Sequence, residues 1–148
     1  MGNNVNLASR LEGANKQYRT GGILMSGQTV ALLGKEFVFR SLDKVRVVNI
    51  NTPVDLYELL EEKENASDFL LFYVEQWELA MRHFKNADYK DCKAILESLI
   101  EKDSSDKTAF YYLNLLKNYF LNGKYPTLYD SEGVIYDEKD GVFTLLQK

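Results

Sequence analysis

Two polar side chains one helical turn apart, Asn6 and Arg10, are the residues of this sequence best suited to chemistry. They lie in the stretch Gly2-Asn3-Asn4-Val5-Asn6-Leu7-Ala8-Ser9-Arg10-Leu11-Glu12-Gly13. Arginine presents a planar fork of donors that matches phosphate oxygens, and an asparagine amide can hydrogen-bond a sugar. Asn3 or Asn4 is suited to cap a helix here, and a helix N-terminus favours an anion through its free N–H groups and its dipole. Leu7, Leu11, Ala14 and Tyr18 recur at helical spacing, so an apolar stripe would seat the helix and leave Asn6 and Arg10 on an adjoining polar face. Spacing alone also allows a plainer reading, a solvated helix face, on which Asn and Arg are common.

The elements that must position this helix follow directly. Arg19-Thr20-Gly21-Gly22 reads as a loop, too short to cradle a phosphate. Ile23-Leu24-Met25 reads as a short buried strand, and Ser26 can cap a helix over Gln28–Leu33 that Gly34 ends. Phe37-Val38-Phe39 and Val45-Arg46-Val47-Val48 are β-rich runs with Asp43 and Lys44 between them, and Pro53 opens a strand over Val54–Leu59. This order predicts an α+β sheet region over residues 1–61.

Glu61-Glu62-Lys63-Glu64-Asn65-Ala66-Ser67 is charged and poor in apolar residues, which marks a boundary. Beyond it the pattern over 66–122 is helical. Phe69, Phe72, Tyr73, Gln76, Leu79, Ala80, His83 and Phe84 form one amphipathic segment, and Tyr89, Cys92, Leu96, Leu99 and Ile100 another, with Ala87-Asp88 as the turn. Val74, Leu79, Leu96 and Leu113 are expected between these helices. The small and large residues fall where a tetratricopeptide repeat, a unit of about 34 residues, places its packing positions. A third helix after Ser104-Ser105-Asp106, with Ala109, Tyr112, Leu113, Leu116 and Phe120 on one face, would cap this all-α hairpin, because one hairpin cannot bury its own face. His83, the sole histidine, has no Cys or carboxylate at ligand spacing beside it and is not read as a metal ligand. Cys92 reads as a small packing residue, and Trp77 as core or interface.

The chain has 148 residues, 45% hydrophobic and 27% charged, with a net charge of −4. That balance gives no reason to expect nucleic acid or a membrane surface as partner. A single cysteine rules out an internal disulfide framework and fits a reducing compartment. No apolar run reaches membrane-spanning length.

The opening stretch resembles the G-D-x-V-N-x-A-S-R-L-E segment of the class III nucleotidyl cyclases, the adenylate and guanylate cyclases, with Asn3 in place of the common Asp. Residues 37–59 resemble the family's closing F-x-F-R-x-L-D-x-V-x-V-K-G-K-x-x-P-V-x-x-Y-E-L region. There the lysine turn is replaced by Val48-Asn49-Ile50, so two cations have become aliphatic. The tail over 123–148 carries Asp140-Gly141-Val142-Phe143 and Lys148, similar to a W-D-G-V-x-x-x-x-x-K ending found in bacterial cyclases with a helical extension.

The resemblance implies a partial cyclase, ferredoxin-like sheet domain followed by a tetratricopeptide-like extension. It implies that Asn6 and Arg10 are catalytic, stabilising the transition state as a ribose 3′-hydroxyl attacks the α-phosphate of ATP or GTP across a homodimer interface. It places the metal-binding aspartates and the purine-reading lysine upstream of Met1, so the chain would be a C-terminal, cytoplasmic portion, inactive by itself. Mg or Mn would be cofactor of the intact parent, with none expected for this portion. A reading of another class is a non-catalytic interaction or dimerisation module built on the helical repeat. A partial sheet would have an uncovered face and an unpaired edge, to be buried against a second copy by strand exchange near residues 1–60; alternatively the chain's own tail, Gly141-Val142-Phe143-Thr144-Leu145, folds back over the exposed sheet or the repeat.

Overall fold

The computed structural model describes residues 23–33, 35–47, 54–122, 134–137 and 142–145, with Asn6, Arg10 and Val48-Asn49-Ile50 outside them. The architecture is α+β. Strand β1 (Ile23–Ser26) runs into helix α1 (Gly27–Leu33), followed by β2 (Phe37–Val47) and β3 (Val54–Glu62). A 3-10 turn (Lys63–Asn65) leads to α2 (Asp68–Lys85), α3 (Tyr89–Lys102) and α4 (Lys107–Asn122), and then to β4 (Val134–Asp137) and β5 (Val142–Leu145).

Local signals explain most of the boundaries. Ser26 ends β1 and caps α1, its hydroxyl accepting from the Thr29 N–H at 3.3 Å. Ser67 caps α2 by accepting from the Leu70 N–H at 3.0 Å, and Asp68 at that end with Arg82, His83 and Lys85 at the other complements the helix dipole. Between α2 and α3 the backbone turns at Ala87, whose φ of 63° lies in the left-handed region. The Asp88 N–H returns to the His83 carbonyl at 2.8 Å, closing the end of α2 as a glycine would usually do. The two β-rich runs expected at 37–39 and 45–48 form one long strand, because β2 absorbs Asp43 through a register shift between Ser41 and Lys44 instead of breaking.

The sheet has the order β1-β3-β2-β5-β4. β3 pairs antiparallel with both β1 and β2, while β5 joins β2 in parallel, Lys44 opposite Val142 through Val47 opposite Leu145. The chain therefore leaves the sheet at β3, builds three helices, and returns to the same sheet through the β4–β5 hairpin. The tail segment Val142–Leu145 thus joins the sheet edge-on as a strand, where the expectation from sequence is a tail folding over the sheet or the repeat.

One core serves sheet and helices together. Leu42 of β2 and Leu56 of β3 pack in the same buried cluster as Trp77, Ala80, Met81 and Phe84 of α2, Cys92, Leu96 and Leu99 of α3, and Ala109, Tyr112 and Leu116 of α4. Edge-to-face aromatic pairs fill its centre: Trp77 with Tyr112 at 5.7 Å and Phe84 with Tyr112 at 5.6 Å. The core is therefore continuous across the charged stretch at 61–67. Of the residues expected between the helices, Leu96 and Leu113 are buried, whereas Val74 and Leu79 are only half-buried. The face that α2 turns inward is Tyr73, Trp77, Ala80, Met81 and Phe84. Phe69, Phe72 and Phe120 are correspondingly about half exposed, at 51%, 47% and 50%. Among the described residues no helix is long and apolar enough to cross a membrane.

Candidate functional site

The most elaborate polar arrangement among the described side chains forms where the three helices meet β2 and β3. Along β2, side chains alternate between faces, and Val38, Arg40 and Leu42 share the buried one. Arg40 is thus a cation at an inward position, and its own strand neighbours leave it facing α2 and the turn before α4. Its cross-strand partner in register is Glu58 of β3, next but one to buried Leu56. A cation on an inward strand face must be paired there, since an isolated buried charge is strongly disfavoured.

The pairing is complete. Arg40 Nε donates to Glu58 Oε1 at 2.7 Å, and its two terminal nitrogens donate to Asp106 at 2.7 and 3.2 Å in a fork. The side chains of Arg40, Glu58 and Asp106 are only 6–8% exposed. The guanidinium lies 4.4 Å above the Trp77 ring, a cation–π contact. The Tyr73 hydroxyl donates to Asp106 Oδ2 at 2.5 Å, and the Ala109 N–H donates to Oδ1 at 3.2 Å. Asp106 is therefore both the cap of α4 and the anion of a buried pair. The turn before it holds it in place: the Ser105 hydroxyl and N–H both donate to Asp103 Oδ1, at 2.5 and 3.0 Å.

The electrostatics follow from this geometry. Burial works against ionising Arg40, but the hydrogen bonds and charges of Asp106 and Glu58 outweigh it and hold its pKa above the ordinary value. For Asp106, burial pushes the carboxyl up, yet the bonds and charge of Arg40, with the Tyr73 hydroxyl and the Ala109 N–H, bring it below the usual 3.8. Burial and the Asp106 carboxylate push the Tyr73 phenol well up. Tyr57 also rises, through burial and the nearby charges of Asp55 and Glu78.

A second set of bonds clamps the outer edge of β2. Trp77 Nε1 donates to the Ser41 carbonyl at 2.7 Å, while the Ser41 N–H and hydroxyl donate to Glu78 at 2.7 and 2.5 Å. Two adjacent residues of α2 thus satisfy the backbone of Ser41 on the strand edge that β5 pairs further along, at Lys44–Val47. An edge that could otherwise recruit another chain is closed by a helix and then by a strand.

Chemically, this arrangement orients and couples; it presents no nucleophile beside a base and no open cation. Among the described residues no group of three or more His, Cys, Asp or Glu side chains is placed to hold a metal ion, so no metal-dependent step is assigned to them. His83 Nδ1 lies 3.5 Å from an Asp88 carboxylate oxygen at the end of α2, and Cys92 is buried in the core. The predicted catalytic pair, Asn6 and Arg10, lies outside the described residues. Sequence reading missed Arg40, Glu58 and Asp106 as a group. The available signal was the alternation Val38-Arg40-Leu42, which places a cation on an apolar strand face.

The chain is 43% identical to adenylate cyclase 1 of Rhizobium meliloti over 60 residues, which is 40% of this chain and 9% of that protein. It is 28% identical over 117 residues to the terminal-differentiation-specific adenylate cyclase of Dictyostelium discoideum, 76% of this chain and 6% of that protein. The chain thus spans less than a tenth of the length of the curated relatives it matches. No protein-family profile matches it, and no solved structure does. The two similarities support a relationship between this chain and adenylate cyclases.

Proposed function

We propose that the chain is the C-terminal portion of a class III nucleotidyl cyclase that converts ATP or GTP to a cyclic nucleotide and pyrophosphate. The observation that carries this reading is the segment Val5-Asn6-Leu7-Ala8-Ser9-Arg10-Leu11-Glu12, together with the 43% identity to a cyclase over 60 residues. In this reading Arg10 stabilises negative charge developing at the α-phosphate as the 3′-oxygen bonds to phosphorus and pyrophosphate leaves, and Asn6 orients the ribose. The site is completed by a second cyclase domain in a homodimer. The Mg or Mn of the intact enzyme is held by residues outside this chain, which alone is inactive, and the assembly works in the cytoplasm. The α2–α3 hairpin is then a tetratricopeptide-like extension. The full burial of Ala80 and Cys92, which lets the paired helices approach closely, supports that assignment.

The test uses the chain and, on this reading, the longer cyclase of which it would form the C-terminal portion. Incubated with ATP or GTP and Mg or Mn, the chain alone should form no cyclic nucleotide, whereas the longer protein should. Arg10→Ala in the longer protein should reduce turnover about 10²–10³-fold, the effect of losing one preorganised transition-state donor. Unchanged turnover would remove Arg10 from the chemistry. The exposed Phe69, Leu71 and Phe72 on α2 favour a second reading, a non-catalytic interaction or dimerisation module. A longer protein that is inactive with both nucleotides yet dimerises through this helical region would establish it.

A further inference from the structure

The helical arm, α2 through α4, touches the sheet by more than apolar packing. Asp106 and Trp77 of the arm meet Arg40, Tyr73 joins them through Asp106, and Glu78 takes the Ser41 backbone one residue further along β2. Covalently the arm joins the same sheet at both ends, after β3 and before β4. Its path between those tethers is therefore set by non-covalent contacts. Apolar side chains alone specify such an interface loosely, because a packed face tolerates sliding and repacking at small cost. A buried ionic network behaves differently. It adds little net stability over apolar residues of the same volume, but partial disengagement leaves a buried charge without its counter-charge.

We propose that Arg40, Glu58, Asp106 and Tyr73 form a latch that fixes one orientation of the helical arm on the sheet and makes its release an all-or-none step. The fork geometry is what confers the all-or-none character. Asp106 meets both terminal nitrogens of Arg40, so a shift of the arm by a bond length breaks both contacts together and strands the guanidinium on Glu58 alone. Tyr73 reads the same carboxylate from α2, so α2 and the start of α4 disengage together. An event that alters the arm is then felt at β2 and β3, and by linkage an event at β2 and β3 is felt at the arm. This inference stands on the geometry of the described residues and is independent of the cyclase reading.

The test measures orientation separately from stability. Spin labels at Gln28→Cys on α1 and Glu101→Cys on α3, both exposed positions, report the distance from sheet region to arm in the full chain. The native Cys92 is fully buried and stays unlabelled. Double electron–electron resonance should give one narrow distance for the otherwise unaltered chain. Asp106→Asn keeps a single acceptor oxygen, enough for the Ala109 N–H but not also for Tyr73, and removes the charge, and it should add a second distance in at least a tenth of molecules. The triple variant Arg40→Met, Glu58→Leu, Asp106→Asn should keep its thermal midpoint while its distance distribution at least doubles in width. Leu99→Ala, which opens the core of the arm without touching the latch, should keep the narrow distance. A single narrow distance in Asp106→Asn, or equal broadening by Leu99→Ala, overturns the proposal. Should the triple variant fail to fold, Asp106→Asn against Leu99→Ala decides alone.

Discussion

Removing the Asp106 carboxylate should destabilise the whole chain rather than one helix, and the structure gives both size and pH signature. Asp106→Ala removes the cap of α4, a loss of about 0.5–2 kcal/mol by itself. It also leaves the Arg40 side chain, 8% exposed, with Glu58 as its one remaining carboxylate partner, and breaking a buried pair from one side costs about 3–5 kcal/mol. The two losses share one side chain and do not simply add, so the expected total is about 3–5 kcal/mol. Asp106→Asn keeps one acceptor oxygen for the cap and loses the charge-assisted bonds made by the second, which places it at about 1.5–3 kcal/mol. Urea unfolding at pH 7 measures both, as a lowered midpoint with an unchanged slope. The sign of the pH dependence follows from the depressed pKa of Asp106: the unfolded carboxyl, near 3.8, binds a proton before the folded one does. Stability from this group is thus fully present above about pH 5 and is lost as pH falls through the folded pKa. That acid-side loss should be smaller in Asp106→Asn. A shift within about 0.5 kcal/mol for Asp106→Ala, the level of an ordinary surface change, would refute the reasoning.

Three further outcomes are expected. Tyr73→Phe, which deletes a bond to a charged acceptor, should cost about 1.5–3 kcal/mol in the same urea assay. Because the folded phenol titrates above its unfolded value of 10.0, its contribution should be complete below about pH 10 and lost above it, and the alkaline fall in stability should be shallower in the variant. Leu96→Ala, at a fully buried position of α3, should cost about 2–5 kcal/mol, and because the core is shared it should lower one common transition followed by tyrosine and tryptophan fluorescence. Ala87→Gly should raise the thermal midpoint by relieving a left-handed alanine, a gain of about 1 kcal/mol.

What was legible in the sequence was governed by local rules. Ser26 as a cap, the Ala87-Asp88 turn and the inward positions Leu96, Leu99, Tyr112 and Leu116 each depend on neighbours within a turn or two. Asp43 and Lys44 have poor strand propensity and divide β2 into two runs in the sequence, a break that a register shift accommodates once β3 and β5 flank the strand. Hydrophobicity alone groups Phe69 and Phe72 with Tyr73, Ala80 and Phe84 in one amphipathic segment. In the fold α2 is rotated so that Tyr73 meets Asp106 and Trp77 meets Arg40 and Ser41, and the phenylalanines turn toward solvent. The polar site was the least legible part, since Arg40 and Asp106 are 66 positions apart and no local period links them. Asn6 and Arg10 were singled out from their types and spacing, and from a resemblance that extends through neighbouring residues.

The ionic contact also bears on how the sheet and the helices came to share one core. A strand with Val38, Arg40 and Leu42 on one face cannot bury that face under an all-apolar partner, because the guanidinium would be left unpaired beyond Glu58. It can be covered by a helical layer that supplies an anion at that height. Here the anion comes from the N-cap of α4, where a carboxylate is already favoured by the exposed N–H groups and the dipole. The aromatic lid comes from α2, where Trp77 lies over the cation and its N–H meets the Ser41 carbonyl. Each of these side chains satisfies its own helix or strand and a partner in the opposite layer. The position of the arm is thus specified by complementary polar groups as well as by apolar area, and β2 must carry Arg40 inward for that specification to exist.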